Sequence, residues 1–540
     1  MIVNKEKKRG DKMKWLNFFK NLFSKENKKV YTAEDMDLEQ REKYIHNLKF
    51  SKNINDNINK VKDFFGKSFD LNIRRFKIGE EKIEGVIMYM SGLVESTAIE
   101  NILEDLEIDL FKMESYLNNK EITYETIVDQ VLNNKKIEET EELSKVMDNL
   151  SQGSSVIFIE GNSRAILCET KGFPIRNIEE PDSEMSLRGP RDGFVENIFT
   201  NTSLLRQRIR ASHLWIQDME IGSLSKTNVA VAYVKGLANE ELVEEVKTRL
   251  ERIEIDNILE SGYIQEFIKD EPFTIFPLME RTERPDKVVS CLVEGKIAIL
   301  TNNTPFVLIV PTTYNMLLQS PDDYYETFPI GSLIRFLRHF SFLLSILLPG
   351  IYIAIVNFHQ ELIPISLLLR ISATREGVPF PILIESLLME SLFEILREAG
   401  VRLPRAIGSA ISIVGALVLG EAAISAGLVS PPMVIIVAMT AIASFTTPSY
   451  PLATAARILR YIFIILGGTL GLFGIQSGFL ILLIHLCSLR SFGQPYFQPC
   501  GPLIWQDLKD SVVRLFWWQQ DTRPKLLGGR NPRRQKKNQK

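Results

Sequence analysis

Three acids at a four-residue spacing are the side chains best placed to do chemistry. Glu390, Glu394 and Glu398 stand in "PFPILIESLLMESLFEILREAG", residues 379–400, whose other side chains are mostly Leu, Ile, Met and Phe. A helix with 3.6 residues per turn sets acids four apart on one face. Glu385 falls elsewhere around the same helix. Lipid does not tolerate such a stripe. The helix therefore lies at a membrane interface with solvated acids or faces a watery pathway inside an assembly, and both readings stay open. Glu421 is the one acid in a further apolar run, "AIGSAISIVGALVLGEAAISAG", residues 406–427.

Charge also concentrates in "SLRGPRDGFVENIFTNTSLLRQRIR", residues 186–210. Gly189, Pro190 and Gly193 force a loop, and "ENIFTNTSLLRQRIR" reads as a helix with a basic face. Arg188 and Arg191 suit three roles: ion pairs that lock two units together, an anion or lipid-headgroup site, or contact with a partner subunit. Locking is the simplest of these. No GxxxxGK[ST] phosphate loop, HExxH or serine elbow occurs. Five histidines and four cysteines (Cys168, Cys291, Cys487, Cys500) are scattered without metal-ligand spacing. Cys168 and Cys291 fall in strand-like runs. These patterns argue against an enzyme and call for no cofactor and no metal. A net charge of -3 gives no argument for nucleic acid.

The elements that position these residues divide the 540-residue chain in two. Up to about residue 330 the sequence is rich in Lys, Glu, Asp and Asn, and beyond it long runs carry no charge. Within the first half, residues 76–106 echo 219–250. Each reads as a strand ending in Ile-Gly, a turn, an apolar strand ending in Gly-Leu, then an acidic amphipathic helix. Ile78–Gly79 matches Ile221–Gly222, and Gly92–Leu93 matches Gly236–Leu237. Glu160–Gly161 and Glu294–Gly295 each stand between two apolar runs, where a hairpin turn is expected. The economical reading is an α/β region of two similar units, residues 50–185 and 186–330, with at least part of each sheet parallel. A cleft between them is a natural ligand site, although a scaffold without ligand is the simpler reading.

The second half reads as a transmembrane helical domain, residues 331–490. Phe340–Phe358 is uncharged and long enough to span; 406–427 also spans; Met433–Thr447 is short and closed by Pro448. Tyr461–Leu489 exceeds one crossing, as a tilted helix or a hairpin broken near Gly474–Gly478. Gly467, Gly471, Gly474 and Gly478 there provide GxxxG spacings for close helix packing. The amphipathic Glu-bearing helix, 380–400, lies between the first two spans. Residues 1–49 carry a basic segment, ten Lys/Arg against three acids in the first 29, read either as a short surface helix around Trp15–Phe23 or as a disordered tail. The last twenty residues of the basic tail, 491–540, hold eight Lys/Arg against one Asp. Positive charge places the tail, and with it the N-terminal half, in the cytoplasm, so the crossings are even in number, four or six.

The chain resembles the A subunits of the GerA-type spore germinant receptors of endospore-forming Firmicutes. The segments that carry the resemblance are "SLRGPRDGFVENIFTNTSLLRQRIR", "ISATREGVPFPILIESLLMESLFEILREAGVRLP", "SFGQPYFQP" and "DLKDSVVRLFWWQQDTRP". The resemblance implies a multi-pass subunit of the inner spore membrane, partnered by a transporter-like B subunit and a lipoprotein C subunit. It implies oligomerisation into a nutrient-gated cation channel that triggers germination. On that view Glu385, Glu390, Glu394 and Glu421 are candidates for the polar pathway, where a ring of acids from several copies favours cations. Arg188, Gly189, Pro190, Arg191 and Gly193 become the joint that sets how the two cytoplasmic units pack. The rival readings are a stage V sporulation AF-type germination amplifier and a non-conducting scaffold that clusters receptors.

Overall fold

The computed structural model describes residues 48–535, apart from 67, 79–82, 107–123, 127, 129–136, 173–180, 182–183, 185–187, 404–417, 419 and 528–530, together with Ile45. The expected N-terminal surface helix and most of the expected span 406–427 lie outside the described residues.

The first sheet holds β1 (Leu71–Ile78), β2 (Ile83–Met90), β3 (Ile137–Thr140), β4 (Ser155–Ile159) and β5 (Ala165–Cys168), in the order β1-β2-β4-β5-β3. Helices α1 (Ile54–Phe65) and α3 (Leu143–Ser151) cover one face, and α2 (Ser96–Glu104) covers the other. The period of α1 shows why: Ile54, Ile58, Val61 and Phe65 recur on one side and are buried. The second sheet holds β6 (Leu214–Ile221), β7 (Thr227–Val234), β8 (Glu280–Thr282), β9 (Ile297–Thr301) and β10 (Val307–Val310), in the order β6-β7-β9-β10-β8. Its covering helices are α4 (Ile198–Arg208) with α7 (Pro285–Glu294) on one side, and α5 (Glu240–Glu251) with α6 (Ser261–Ile268) on the other. Val229, Val231 and Tyr233 of β7 enter one core while Ala230, Ala232 and Val234 enter the other, so this strand is apolar from Val229 to its end.

Every hydrogen-bonded strand pair in both sheets is antiparallel. This corrects the expectation of partly parallel sheets. Helix α3 does connect two strands that run the same way, β3 and β4, but β5 lies between them and opposes both. The hairpin expectation holds at Glu160–Gly161, between β4 and β5. It fails at Glu294–Gly295, where Gly295 (φ 97°) ends α7 in a left-handed cap. Cys291 correspondingly lies in α7 rather than in a strand.

In the second half, α8 (Phe328–Phe358) begins well before the apolar run that announced it, and α9 (Ile365–Arg375) and α10 (Ile382–Arg402) follow. After the less described stretch come α11 (Pro431–Phe445) and α12 (Tyr450–Ser488). Helices α8 and α12 are both long and apolar enough to cross a membrane, and α11 is a shorter apolar helix. Helix α12 breaks at Gly471, whose φ of 63° and ψ of -148° are not helical. A Cβ on Gly478 would stand 2.5 Å from Leu466 Cδ1. In a straight helix twelve residues separate by about 18 Å, so α12 is a hairpin with arms 450–470 and 472–488.

Helix directions follow from the contacts. Arg460 meets Ser345, Gly467 meets Gly350 and Gly471 meets Phe358, so α8 and the first arm of α12 run the same way. Glu390 meets Arg460 and Glu394 meets Arg457, so α10 runs against that arm. Glu385 meets Ser430 and Arg397 meets Ser444, so α11 runs with α10. The chain then returns to the second α/β unit. Ser491 Oγ donates to the Leu278 carbonyl at 2.7 Å, and Phe492 enters the core beneath β6 to β10.

Candidate functional site

The acid helix α10 meets three arginines from two neighbouring helices, Arg375 of α9 and Arg457 and Arg460 of α12. Glu390 is 0% exposed and Arg460, on the first arm of α12, is 1% exposed. Arg460 Nη1 donates to Glu390 Oε2 at 2.7 Å, and its Nε donates to the Ser345 carbonyl of α8 at 2.7 Å. One turn on, Glu394 accepts from Arg457 Nη1 at 2.9 Å and lies 3.5 Å from Arg397. Glu398 pairs with Arg402 at the exposed end of the helix. Glu385 accepts from the Ser430 amide at 2.7 Å and from its hydroxyl, with Arg375 3.8 Å away. Glu421 is exposed and stands apart from this row. The structure thus gathers Glu385 and Glu390, both buried, and the half-buried Glu394 in one seam between α8, α10, α11 and α12.

The seam keeps unused capacity. Oε1 of Glu390, Oε2 of Glu385 and Nη2 of Arg460 are buried without a hydrogen-bond partner. Charges this deep are costly unless paired, and here the pairs leave lone pairs and protons over. Such a row can hand a cation or proton between carboxylates once an arginine turns away.

The four glycines expected to pack helices divide three roles among them. A Cβ on Gly467 would lie 2.4 Å from the carbonyl oxygen of Gly350 in α8, so backbones touch there. Gly471 makes the hairpin bend. Gly474 and Gly478 admit Leu466 of the opposing arm.

The joint between the two α/β units is held mainly by residues other than those expected. Arg188 lies 4.0 Å from Glu326 and is 66% exposed, which makes a weak surface pair. Gly189 has φ 133°, Pro190 follows it, and the loop through Arg191 and Gly193 leads to α4, capped by Asn197. The tight link is Arg206 on α4. It grips Asp70 bidentately, with Nη2 2.9 Å from Oδ1, while Nη1 donates to the Leu214 carbonyl at 2.9 Å. Both side chains are 1% exposed, so the basic face expected of this helix is turned inward at Arg206. Trp215 Nε1 donates to the Phe64 carbonyl at 3.0 Å beside this pair, across Gly66. Farther along, Lys287 bridges Glu280 (2.6 Å) and Glu184 (2.9 Å), and burial pushes the Glu280 carboxyl up against the pull of Lys287.

A second charged knot joins α8 to the tail. Arg335 donates to Asp323 (3.2 Å) and Asp510 (3.0 Å), Arg338 donates to Asp323 (2.7 Å), and Arg514 Nη1 donates to the Asp323 carbonyl at 2.9 Å. Tyr324 donates to Asp510 at 2.7 Å, and burial pushes its phenol up. These partners escaped the sequence reading, although single arginines inside apolar runs, such as Arg460 in "ARILRYIFIILGG", are a usable sign.

Known proteins resemble this chain over nearly all of these elements. Residues 59–526 match the family described as Bacillus/Clostridium GerA spore germination protein. Spore germination protein KA of Bacillus subtilis (strain 168) is 46% identical over 484 residues, covering 89% of this chain and 88% of that protein. Spore germination protein GerLA of Bacillus cereus is 35% identical over 481 residues, covering 89% of this chain and 96% of that one. A solved structure, the N-terminal domain of the A subunit of the Bacillus megaterium spore germinant receptor GerK3, is 31% identical with a TM-score of 0.40, covering 49% of this chain and 98% of that one. The match across both the α/β half and the helical half is of a length and identity that settles kinship, and the chain belongs to the GerA family of spore germination proteins.

Proposed function

We propose that this chain is the A subunit of a nutrient germinant receptor in the inner spore membrane. It acts with a transporter-like B subunit and a lipoprotein C subunit, and several copies form a nutrient-gated cation channel. The observation that carries the reading is the Glu390–Arg460 pair, two charges at 0% and 1% exposure inside an apolar helical bundle. Ionisable pairs at such depth mark pathways and switches more often than they add stability. Glu385, Glu390 and Glu394 are the pathway candidates, closed by their arginines in a single copy and opened when assembly or nutrient draws Arg457 and Arg460 away. Glu421, exposed on its own segment, is the candidate for contact with a neighbouring copy's pathway.

The helix directions, with α8 and the first arm of α12 running one way and α10 and α11 the other, support six traverses, with the α/β units and the tail in the cytoplasm. The two α/β units are read as one duplicated plan. Their strand orders correspond one for one. Gly153 (φ 89°) abuts the Leu93 carbonyl as Gly295 abuts that of Leu237. The junction from Arg188 to Gly193 then sets how the duplicated units face a neighbour.

The experiment is cation flux through liposomes holding this chain, alone and with its B and C partners, beside a Glu390→Gln/Glu394→Gln variant. Flux that falls in the variant supports the channel. Unchanged flux and selectivity remove both acids from the pathway. One observation favours a non-conducting scaffold instead: each of these acids already has a cationic partner within the chain. Absence of flux with all three subunits present establishes that second reading.

A further inference from the structure

The loop 270–276, between α6 and β8, stands against the end of the α12 hairpin. Thr274 Oγ1 and His485 Nε2 are 3.3 Å apart, and the rings of Phe276 and His485 are 6.0 Å apart. Phe276 is buried there, whereas Phe273 in the same turn is 93% exposed and Ile275 is 39% exposed. From this loop a groove of about 940 Å³ runs outward between the hairpin arms, walled by Leu459, Ile462, Leu466, Ile481 and Leu482 and floored by Gly478. Seven residues separate Leu459 from Leu466 and His485 from Gly478, so the groove extends about 10 Å along both arms. Its polar groups, Asp270, Glu271, Thr274, His485, Ser488 and Arg490, all lie at the loop end.

We propose that this groove seats an acyl chain of a membrane phospholipid and that Phe273 dips into the headgroup layer beside it. The inference rests on the reading that the hairpin stands in a bilayer. Three features single out lipid as the occupant. The groove walls belong to the hairpin itself, whose outer face is apolar and exposed at Ile465 and Ile484. The polarity runs one way, with apolar walls outward and polar groups confined to the depth of the headgroups, as in an interfacial site. Phe273 carries nearly its whole ring into solvent at that depth, where an aromatic side chain gains from the interface and loses in water. Arg490, exposed and donating only a 3.2 Å bond to the Gly493 carbonyl, stands where a lipid phosphate sits. The loop would hold the second α/β unit flat against the membrane, so rotation of that unit is transmitted to the hairpin.

The test is site-directed spin labelling of the full chain in phosphatidylcholine/phosphatidylglycerol nanodiscs, with Cys487 and Cys500 changed to serine. Nitroxides are placed at Phe273→Cys, at Ile462→Cys in the groove, at Ile465→Cys on the outer hairpin face, and at Leu224→Cys. Leu224 is an 80% exposed apolar residue in the β6–β7 turn and serves as the aqueous reference. The ratio of accessibility to oxygen over a water-soluble nickel complex reads depth. The inference expects that ratio at 273 and 462 to exceed the ratio at 224 several-fold and to approach that at 465. A lipid signal at 465 with an aqueous signal at 273 overturns the inference and leaves the membrane reading standing. Protection of 273 or 462 from both reagents means protein covers the site, and that also overturns it. Aqueous signals at 273, 462 and 465 together refute the membrane reading itself.

Discussion

Replacing Arg460 by methionine tests whether the buried pair is an energetic unit. At a nitrogen–oxygen distance of 2.7 Å, two unit charges attract by about 6 kcal/mol at an effective dielectric constant of 20. Most of that offsets the desolvation of both groups, which is why a paired buried charge adds little net stability. Removal of one partner is different, because Glu390 at 0% exposure then has no cation and one oxygen already without a donor. The expected loss is about 3–5 kcal/mol. Glu390→Leu alone strands the guanidinium, which still donates to the Ser345 carbonyl, and costs a similar amount. The double variant Glu390→Leu/Arg460→Met removes both charges and fills the space with apolar atoms. It should recover at least about 2 kcal/mol relative to the sum of the singles, about 30-fold in the folded-to-unfolded ratio. The assay is reversible unfolding of the four chains in one detergent, followed by helix content. Additive losses would mean that the two residues do not stabilise each other, and the reasoning from their geometry would fall. A double variant that folds like the parent but supports no cation flux separates the structural role of the pair from its proposed part in conduction.

At the joint between the α/β units, Arg206→Met should cost about 3–5 kcal/mol in urea unfolding, because Asp70 is left buried without its cation; a loss below about 1 kcal/mol would show that the pair does not bind the units. By contrast, Arg188→Glu disturbs an exposed ion pair, worth under about 1 kcal/mol, so the unfolding midpoint should hold while spores carrying it germinate poorly. Normal germination of those spores would strip the junction loop of its assembly role. Gly66→Ala forces a side chain into φ 61° and against the Trp215 ring, at a backbone cost of about 1–2 kcal/mol before the ring moves, readable as a lost Trp215 near-ultraviolet signal. Gly467→Ala brings a methyl to 2.4 Å from the Gly350 carbonyl oxygen and should cost about 1–3 kcal/mol in detergent melting; an unchanged melting temperature would mean the two helices do not touch as described.

How much of this was legible depends on whether a residue's partner is local. The strand–turn–strand–helix sequence of β6, β7 and α5 follows from Ile221–Gly222, Gly236–Leu237 and the acidic period after them, all within one stretch; a hairpin in α12 was one of two readings of its glycines, with the break expected near Gly474–Gly478, whereas the chain bends at Gly471. Parallel pairing was the wrong expectation because the crossover through α3 was visible while the strand placed between its ends, β5, comes later in the chain. The same limit governs the site. The four-residue period assigned Glu390 and Glu394 to one face of α10, and the structure keeps them there. Which group that face meets is decided by α12, where Arg457 and Arg460 repeat at three residues and run the opposite way, so the two rows mesh acid to base. A stripe that reads as a pathway wall in one helix is therefore, within one chain, half of a neutralised seam. Glu385 adds the remaining step: its carboxylate takes the Ser430 amide at the start of α11, where unpaired backbone donors favour an anion. Opening the seam then requires α10 to move against α11 and α12 together, because its acids are tied to both.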